Sequence, residues 1–248
     1  MINRKNYFIE NFLIYDFDEV ESTNDLAKSL SQNQQLLPNQ IIIAKTQSKG
    51  KGRLNRQWQS PIGNLYCSIF LQNKLSLIKN NQLSFVVSCA LNLTIQKLAK
   101  HNFVIQNKWP NDLLINQKKV AGILIESQQI SDKLTNIIVG IGVNLKHHPQ
   151  NSLFIAENLQ NFNIHLEPLD FLQNFLPNFN ELYQIWLNFG FKNIRELWLK
   201  NAYKIGEEIK INCSKVNEIG LFKDLDDDGS LILQIDNICK KINYGDVC

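Results

Sequence analysis

Hydrophobic periodicity changes near Gly206, and that change limits the folds open to this chain more than any other feature. Before it, the strand-length runs Phe12 to Val20, Ile41 to Ala44, Asn64 to Leu71, Phe103 to Trp109 and Thr135 to Leu145 are interleaved with stretches of helical spacing. Leu83, Val86, Val87, Ala90, Leu91, Thr94 and Leu98 predict one core-facing helix. Pro168 to Ala202 predicts two or more helices, with a break or kink at Pro177. After Gly206 come the short alternating segments Ile209 to Cys213, Glu218 to Leu225, Leu231 to Ile235 and Ile238 to Tyr244. With Asp227-Asp228-Gly229 as a hairpin signal, they predict a small β-barrel-like carboxy-terminal domain.

Turn signals place the polar segments. Ser22-Thr23-Asn24-Asp25 opens the segment Leu26 to Leu30, with Ser22 as helix N-cap. Asn116-Gln117-Lys118 reads as a hairpin turn between Leu113 to Ile115 and Val120 to Glu126, which leaves Lys119 just beyond it.

With 248 residues, 44% of them apolar, the chain can bury a full core. Its net charge of +3 is too mild for a protein that lives on nucleic acid or an anionic membrane, so basic chemistry must be local. The cysteines Cys67, Cys89, Cys213, Cys239 and Cys248 are odd in number and lack CxxC or Cys/His spacing, which points away from a disulfide framework or zinc site. A reducing, cytoplasmic setting fits. Glu10, Asp16 and Asp18 interrupt any signal-peptide core, and the weakly polar stretch 136–145 is far short of the roughly 20 residues of a bilayer span, so a soluble protein is expected.

The loop from Gln47 to Trp58 is the most unusual segment. It gathers Lys49, Lys51, Arg53 and Arg56 with Gly50, Gly52 and the Trp58 ring, directly after a strand. Glycines admit backbone N–H groups close to an anion, cations neutralise it and an indole can stack on a base, so a nucleotide is the natural ligand. A solvated basic loop or a nucleic-acid contact would account for the same residues. Neither GxxxxGK[ST] nor a helix-opening GxGxxG is present. A second segment, Lys108-Trp109-Pro110-Asn111-Asp112, precedes Lys119-Val120-Ala121-Gly122. Singly, Trp109 reads as core, Asp112 as a turn former and Lys119 as an exposed hairpin residue; the combination raises the functional reading.

Together with Glu21-Ser22-Thr23-Asn24 and Gly140-Ile141-Gly142-Val143-Asn144, these segments resemble the biotin protein ligase family in order and spacing, from about Leu13 onward. The motifs are ESTN, QxxGxGR ending in RxW, KWPND, KxxGIL with a later glutamate, and GIGxN. The loop departs from the family's GRGRRGRxW: Lys51 replaces an arginine, and Leu54-Asn55 replaces an arginine-glycine pair. The resemblance implies an α+β fold, a mixed or antiparallel sheet backed by helices as in class II aminoacyl-tRNA synthetases, with a biotin/ATP-binding catalytic domain over 1–203. A carboxy-terminal SH3-like β-barrel over 204–248 is implied with it.

The same resemblance implies a two-step reaction. Biotin and ATP give biotinyl-5′-adenylate and pyrophosphate, then a lysine of a biotin carboxyl carrier protein, that of acetyl-CoA carboxylase, takes the biotinyl group. Lys119 matches the lysine bridging biotin carboxylate and phosphate, and Arg53 the arginine holding the adenylate. Ser22, Thr23, Asn24, Gln47, Lys51, Gly52 and Gly122 complete the implied biotin site. Arg56, Trp58, Lys108, Asn111 and Asn144 match the nucleotide side, and Asp112 is expected to orient or help deprotonate the incoming lysine. Mg²⁺ accompanies ATP, with its protein ligands unassigned. The loop is expected to be mobile when empty and ordered over ligand, because a mixed anhydride must be kept from water. Lipoate ligases share the fold but not KWPND followed by KxxGIL. Some family members are DNA-binding repressors with an amino-terminal helix-turn-helix; with about twenty residues before Ser22, specific DNA binding is not expected. A homodimer, which some relatives form through edge strands, stays open.

Overall fold

The computed structural model describes residues 4–74, 77–131, 134–150, 155–212, 217–236 and 238–247; Cys213 and Cys248 lie outside them. Strands β1 (Arg4–Ile9) and β2 (Phe12–Val20) form an antiparallel hairpin. Helix α1 (Thr23–Gln32) follows, and β3 (Gln40–Gln47) returns parallel to β2. Next come β4 (Leu65–Asn73), the short α2 (Leu77–Asn80) and α3 (Leu83–Leu98). Strands β5 (Ile105–Lys108), β6 (Asp112–Ile115), β7 (Lys118–Ser131) and β8 (Leu134–Val143) complete an eight-stranded sheet, ordered β1-β2-β3-β4-β8-β7-β6-β5. Asn116 and Gln117 form the β6–β7 turn with φ of 47° and 65°, the doubly positive geometry that matches strand twist.

Covering on both faces explains the apolar run of β4, where every residue from Leu65 to Leu71 is buried. Leu65, Cys67, Ile69 and Leu71 face the main core under α3, α4 (Pro168–Phe189) and α5 (Phe191–Lys200). Phe70 faces the other way and packs with Tyr15, Phe17, Ala27, Leu36 and Ile42 under α1. Helix α4 runs through Pro177; the break expected there falls instead at Gly190, whose φ of 78° suits a residue without Cβ. Strand β1 was not anticipated from the sequence. Among the described residues no helix is long and apolar enough to cross a membrane.

The carboxy-terminal strands are β9 (Glu208–Asn212), β10 (Asn217–Leu225), β11 (Leu231–Ile235), β12 (Ile238–Ile242) and β13 (Asp246–Val247). They form an open antiparallel sheet, order β12-β11-β10-β9-β13, which corrects the expected SH3-like barrel. Closure would require the two edges to pair. Yet β13 has two residues, both paired with β9, and β12 is exposed up to Ile242. The sheet buries its apolar face on the larger unit instead: Ile209, Ile211, Phe222, Leu231, Leu233 and Val247 belong to the main core. Trp109 Nε1 donates to Gly229 O at 3.1 Å, and Gln82 Nε2 to Asp227 O at 2.6 Å, fixing the β10–β11 hairpin against KWPND and α3.

Candidate active site

Strand register builds the floor of one cavity. Ser68 of β4 lies opposite Gly140, Gly142 opposite Gly122, and Gly122 opposite Asp112. Alternation puts Ser68, Gly140 and Gly142 on the face that carries α1. Without side chains at 122, 140 and 142 the sheet is bare there, and a cavity of about 300 Å³ opens beside the first turn of α1. A Cβ at Gly142 would sit 2.5 Å from Trp58 Cε2, and one at Gly122 2.8 Å from Cζ3, so the indole lies flat on this floor. Trp58 Nε1 is buried with no acceptor among the described residues.

One end of the cavity is a polar hydrogen-bond network. Ser22 caps α1, its Oγ accepting the Asp25 amide at 3.4 Å, while also lining the cavity. Thr23 N and Oγ1 reach Gln47 Oε1 at 2.8 and 3.1 Å. Ser68 Oγ lies 2.8 Å from Thr23 Oγ1 and 2.6 Å from Asn24 Oδ1, and Asn24 Nδ2 donates to Glu126 at 2.8 Å.

The other end is cationic, and its cations are matched by carboxylates. Lys119 Nζ is 2.6 Å from Asp112 Oδ1, in a pair with side-chain exposures of 12% and 17%, and lies 5.4 Å from the Trp58 ring centroid. Arg53 Nη1 donates to Asn111 Oδ1, Gly245 O and Asp246 Oδ1 at 3.2, 3.3 and 3.0 Å. Arg56 pairs with the second oxygen of Asp246. Burial pulls the Arg53 guanidinium below its ordinary value, opposed by Asp246 and Asp112, yet an arginine stays charged at neutral pH. At the α1 end, Lys51 pairs with Asp25 at 2.5 Å, and that bond raises its pKa. Among the described residues no group of three His, Cys, Asp or Glu could hold a metal ion.

The loop folds back on itself through Gly52 N to Arg56 O at 2.7 Å and Trp58 N to Gly50 O at 2.9 Å. Leu54 and Asn55 both have positive φ, 55° and 58°. Asparagine tolerates this region and stands where the family has glycine, whereas for leucine it costs roughly 1 kcal/mol or more.

Ser22, Thr23, Asn24, Gln47, Lys51, Gly52, Arg53, Arg56, Trp58, Asn111, Asp112, Lys119, Gly122 and Asn144 all line the one cavity. Asn144 joins through its backbone, N to Val120 O at 2.8 Å, and through Nδ2 to Glu157 O at 3.1 Å. Lys108 does not line it: it lies one strand further out, paired with Asp112, with Nζ 5.9 Å from the Tyr203 ring centroid. Sequence reasoning missed Ser68, Ser60 and Asp246. Ser68 is legible only once β4 and β8 are in register, and Asp246 sits in a two-residue strand with no local pattern.

The sequence matches the "Biotin/lipoate A/B protein ligase family" over residues 17–144 and the "Biotin protein ligase C terminal domain" over 204–248. It is 32% identical over 244 residues to the "Bifunctional ligase/repressor BirA" of Bacillus subtilis, covering 95% of this chain and 73% of that one. To the "Biotin--[acetyl-CoA-carboxylase] ligase" of Paracoccus denitrificans it is 33% identical over 220 residues, covering 86% and 91%. The biotin protein ligase of Aquifex aeolicus, solved with biotin and ATP, superposes with a TM-score of 0.80 at 25% identity, covering 95% of this chain and 97% of that one. The chain belongs to the biotin/lipoate A/B protein ligase family.

Proposed function

We propose that this chain is a biotin protein ligase, joining biotin to ATP as biotinyl-5′-adenylate with release of pyrophosphate and then transferring biotin to a lysine of a biotin carboxyl carrier protein. The observation that carries this reading is that Arg53 and Lys119 share one cavity whose opposite end is a hydrogen-bonding pocket. A carboxylate and a phosphate repel until cations and N–H donors screen them, and two cations beside a hydrogen-bonding pocket supply that arrangement.

In the first step a biotin carboxylate oxygen bonds to the α-phosphorus and the bond to pyrophosphate breaks. Lys119 would lie between carboxylate and phosphate, and Arg53 and Arg56 would hold the phosphates. Trp58, Asn111 and Asn144 frame the nucleotide, while Ser22, Thr23 and Gln47 meet the cyclic urea of biotin. In the second step the carrier lysine attacks the acyl carbon and AMP departs. Asp112, 2.6 Å from Lys119 Nζ, would orient the attacking amine and take its proton. Magnesium would enter with ATP and neutralise part of the triphosphate charge. Residues 1–203 supply the catalytic unit and 204–248 the sheet that reaches the loop through Asp246. The carrier domain, rather than DNA, is the macromolecular partner.

The test is incubation with biotin, ATP and Mg²⁺, following pyrophosphate, then addition of an apo carrier domain and mass spectrometry of its lysine. Pyrophosphate release and one added biotinyl group are expected. Lipoyl transfer without biotinyl transfer would overturn the reading.

A further inference from the structure

The polar end of the cavity contains more oxygen–oxygen contacts than protons. Asn24 Nδ2 donates to Glu126 Oε2 at 2.8 Å, and since a carboxylate only accepts, Asn24 Oδ1 must face inward as an acceptor. Gln47 is fixed from the other side. Ser60 Oγ donates to Trp58 O at 3.1 Å and accepts from Gln47 Nε2 at 2.9 Å, which turns Gln47 Oε1 inward, where the Thr23 amide reaches it at 2.8 Å. Between these two amide oxygens stand the hydroxyls of Ser68 and Thr23. They make contacts of 2.6 Å (Ser68 to Asn24), 2.8 Å (Ser68 to Thr23) and 3.1 Å (Thr23 to Gln47).

Two hydroxyl protons can serve two of these contacts, and the shortest two claim them. With the one Ser68 proton on Asn24 Oδ1, the 2.8 Å contact between the Ser68 and Thr23 hydroxyls is a hydrogen bond only when Thr23 donates to Ser68 Oγ. Thr23 Oγ1 and Gln47 Oε1 are then left side by side as acceptors, on residues that line the cavity. The Asn24 amide is seated against Gly140, where a Cβ would come within 2.3 Å of Oδ1.

We infer that Glu126, acting through Asn24 and Ser68, sets the direction of this hydrogen-bond chain, so that Thr23 and Gln47 present acceptors to the ligand. Glu126 is thus a positioning residue that selects a ligand carrying N–H donors at this end, as a cyclic urea does, and disfavours one carrying only acceptors. This rests on the biotin reading above and adds a residue to which the motifs assign no role.

Calorimetry with biotin, and with biotin methylated on its urea nitrogens, tests it on wild type, Glu126→Gln, Glu126→Lys and Ser68→Ala. Glu126→Gln keeps an accepting carbonyl and is expected to bind biotin within about threefold of wild type. Glu126→Lys offers a donor, turns the Asn24 amide around and sends the Thr23 proton to Gln47. Ser68→Ala, which changes no charge, frees the same proton. Both are expected to weaken biotin about tenfold, the effect of one lost bond to a buried group, with the ATP KM unchanged, while Ser68→Ala, which leaves the buried Asn24 Oδ1 without its donor, should also lower the melting temperature. The methylated compound should bind wild type at least about tenfold more weakly than biotin. Wild type that binds no biotin overturns the functional reading itself. Wild type that binds it, with Glu126→Lys and Ser68→Ala unchanged, overturns only the role of Glu126. So does a loss matched by an equal rise in the ATP KM.

Discussion

Arg53 and Asp246 lie 193 residues apart in sequence and 3.0 Å apart in space. Because Arg56 takes the other oxygen of the same carboxylate, Asp246 ties the basic loop to the last strand. Arg53 and Asp246 are only 22% and 32% exposed, so solvent screens the pair in part. Asp246→Asn should therefore cost about 1 kcal/mol. For a chain of this size that is a fall of roughly 2–4 °C in Tm by calorimetry. Trypsin should also cut faster at Arg53 and Arg56, read by peptide mapping. Unchanged cleavage would show that the loop's own backbone bonds hold it.

Lys119 and Asp112 neutralise each other in a half-dry site, so a single substitution confounds chemistry with stability. Lys119→Ala should slow pyrophosphate release by about 10²–10³-fold, the effect of removing one well-placed stabilising group, and should also lower Tm. Adding Asp112→Asn removes the uncompensated carboxylate: Tm should recover while the rate stays low. Recovery of both would remove Lys119 from the reaction. Asp112→Asn alone should form adenylate normally and transfer biotin slowly.

Where local chemistry decides, the sequence was legible. Ser22 caps α1, and Asn116-Gln117 makes the β6–β7 turn, because caps and two-residue turns depend on a few adjacent side chains. Fourteen-residue convergence on one cavity was legible only through motif order, since Thr23 opens a helix, Gln47 and Lys119 lie on different strands and Asn111 is in a turn. What failed were relations between strands. Closure of the carboxy-terminal sheet depends on whether β12 meets β13, and alternation along each strand says nothing of that. Lys108 stands beside Asp112 in the motif, yet the β5–β6 pairing carries it one strand beyond the cavity.

Phe222 tests whether the carboxy-terminal sheet folds by itself. It is 1% exposed and belongs to the same core as Phe85 and Trp198. Phe222→Ala should cost about 3–5 kcal/mol. If the core is shared, urea unfolding followed by fluorescence and by circular dichroism should move together as one transition. Early loss of the sheet, with biotin binding intact, would show that the units are independent.

Burial pushes the Cys67 thiol up to about 12, and raises Cys89 in the same way, whereas Cys239 is exposed. At pH 8 a thiol of that kind is about 10⁻⁴ ionised, so iodoacetamide should label Cys239 and spare Cys67 and Cys89 until urea is added. The folded value lies above the unfolded one. The Cys67 contribution to stability is therefore full below 9.0 and lost as pH rises toward about 12. Equal labelling of all three in the native chain would contradict the packing of β4 and α3.

Gly142 gives the sharpest test of the cavity floor. A Cβ there would stand 2.5 Å from Trp58 Cε2 and 2.8 Å from Nε1. Strand β8 is held on both sides by β4 and β7, so its backbone cannot retreat. The indole, carried on a surface loop, must leave instead. In Gly142→Ala the overpacking cost of about 1–3 kcal/mol is relieved by that movement, so Tm should change little. Trp109, Trp186 and Trp198 are buried, which leaves Trp58 as the ring whose emission can shift. The variant should emit further to the red and be quenched more readily by acrylamide, and the same substitution in a Trp58→Phe background should add nothing. Biotin and ATP binding should weaken about tenfold or more as the loop loses its seat. An unshifted spectrum with unchanged binding would mean that the ring does not rest on these glycines in solution.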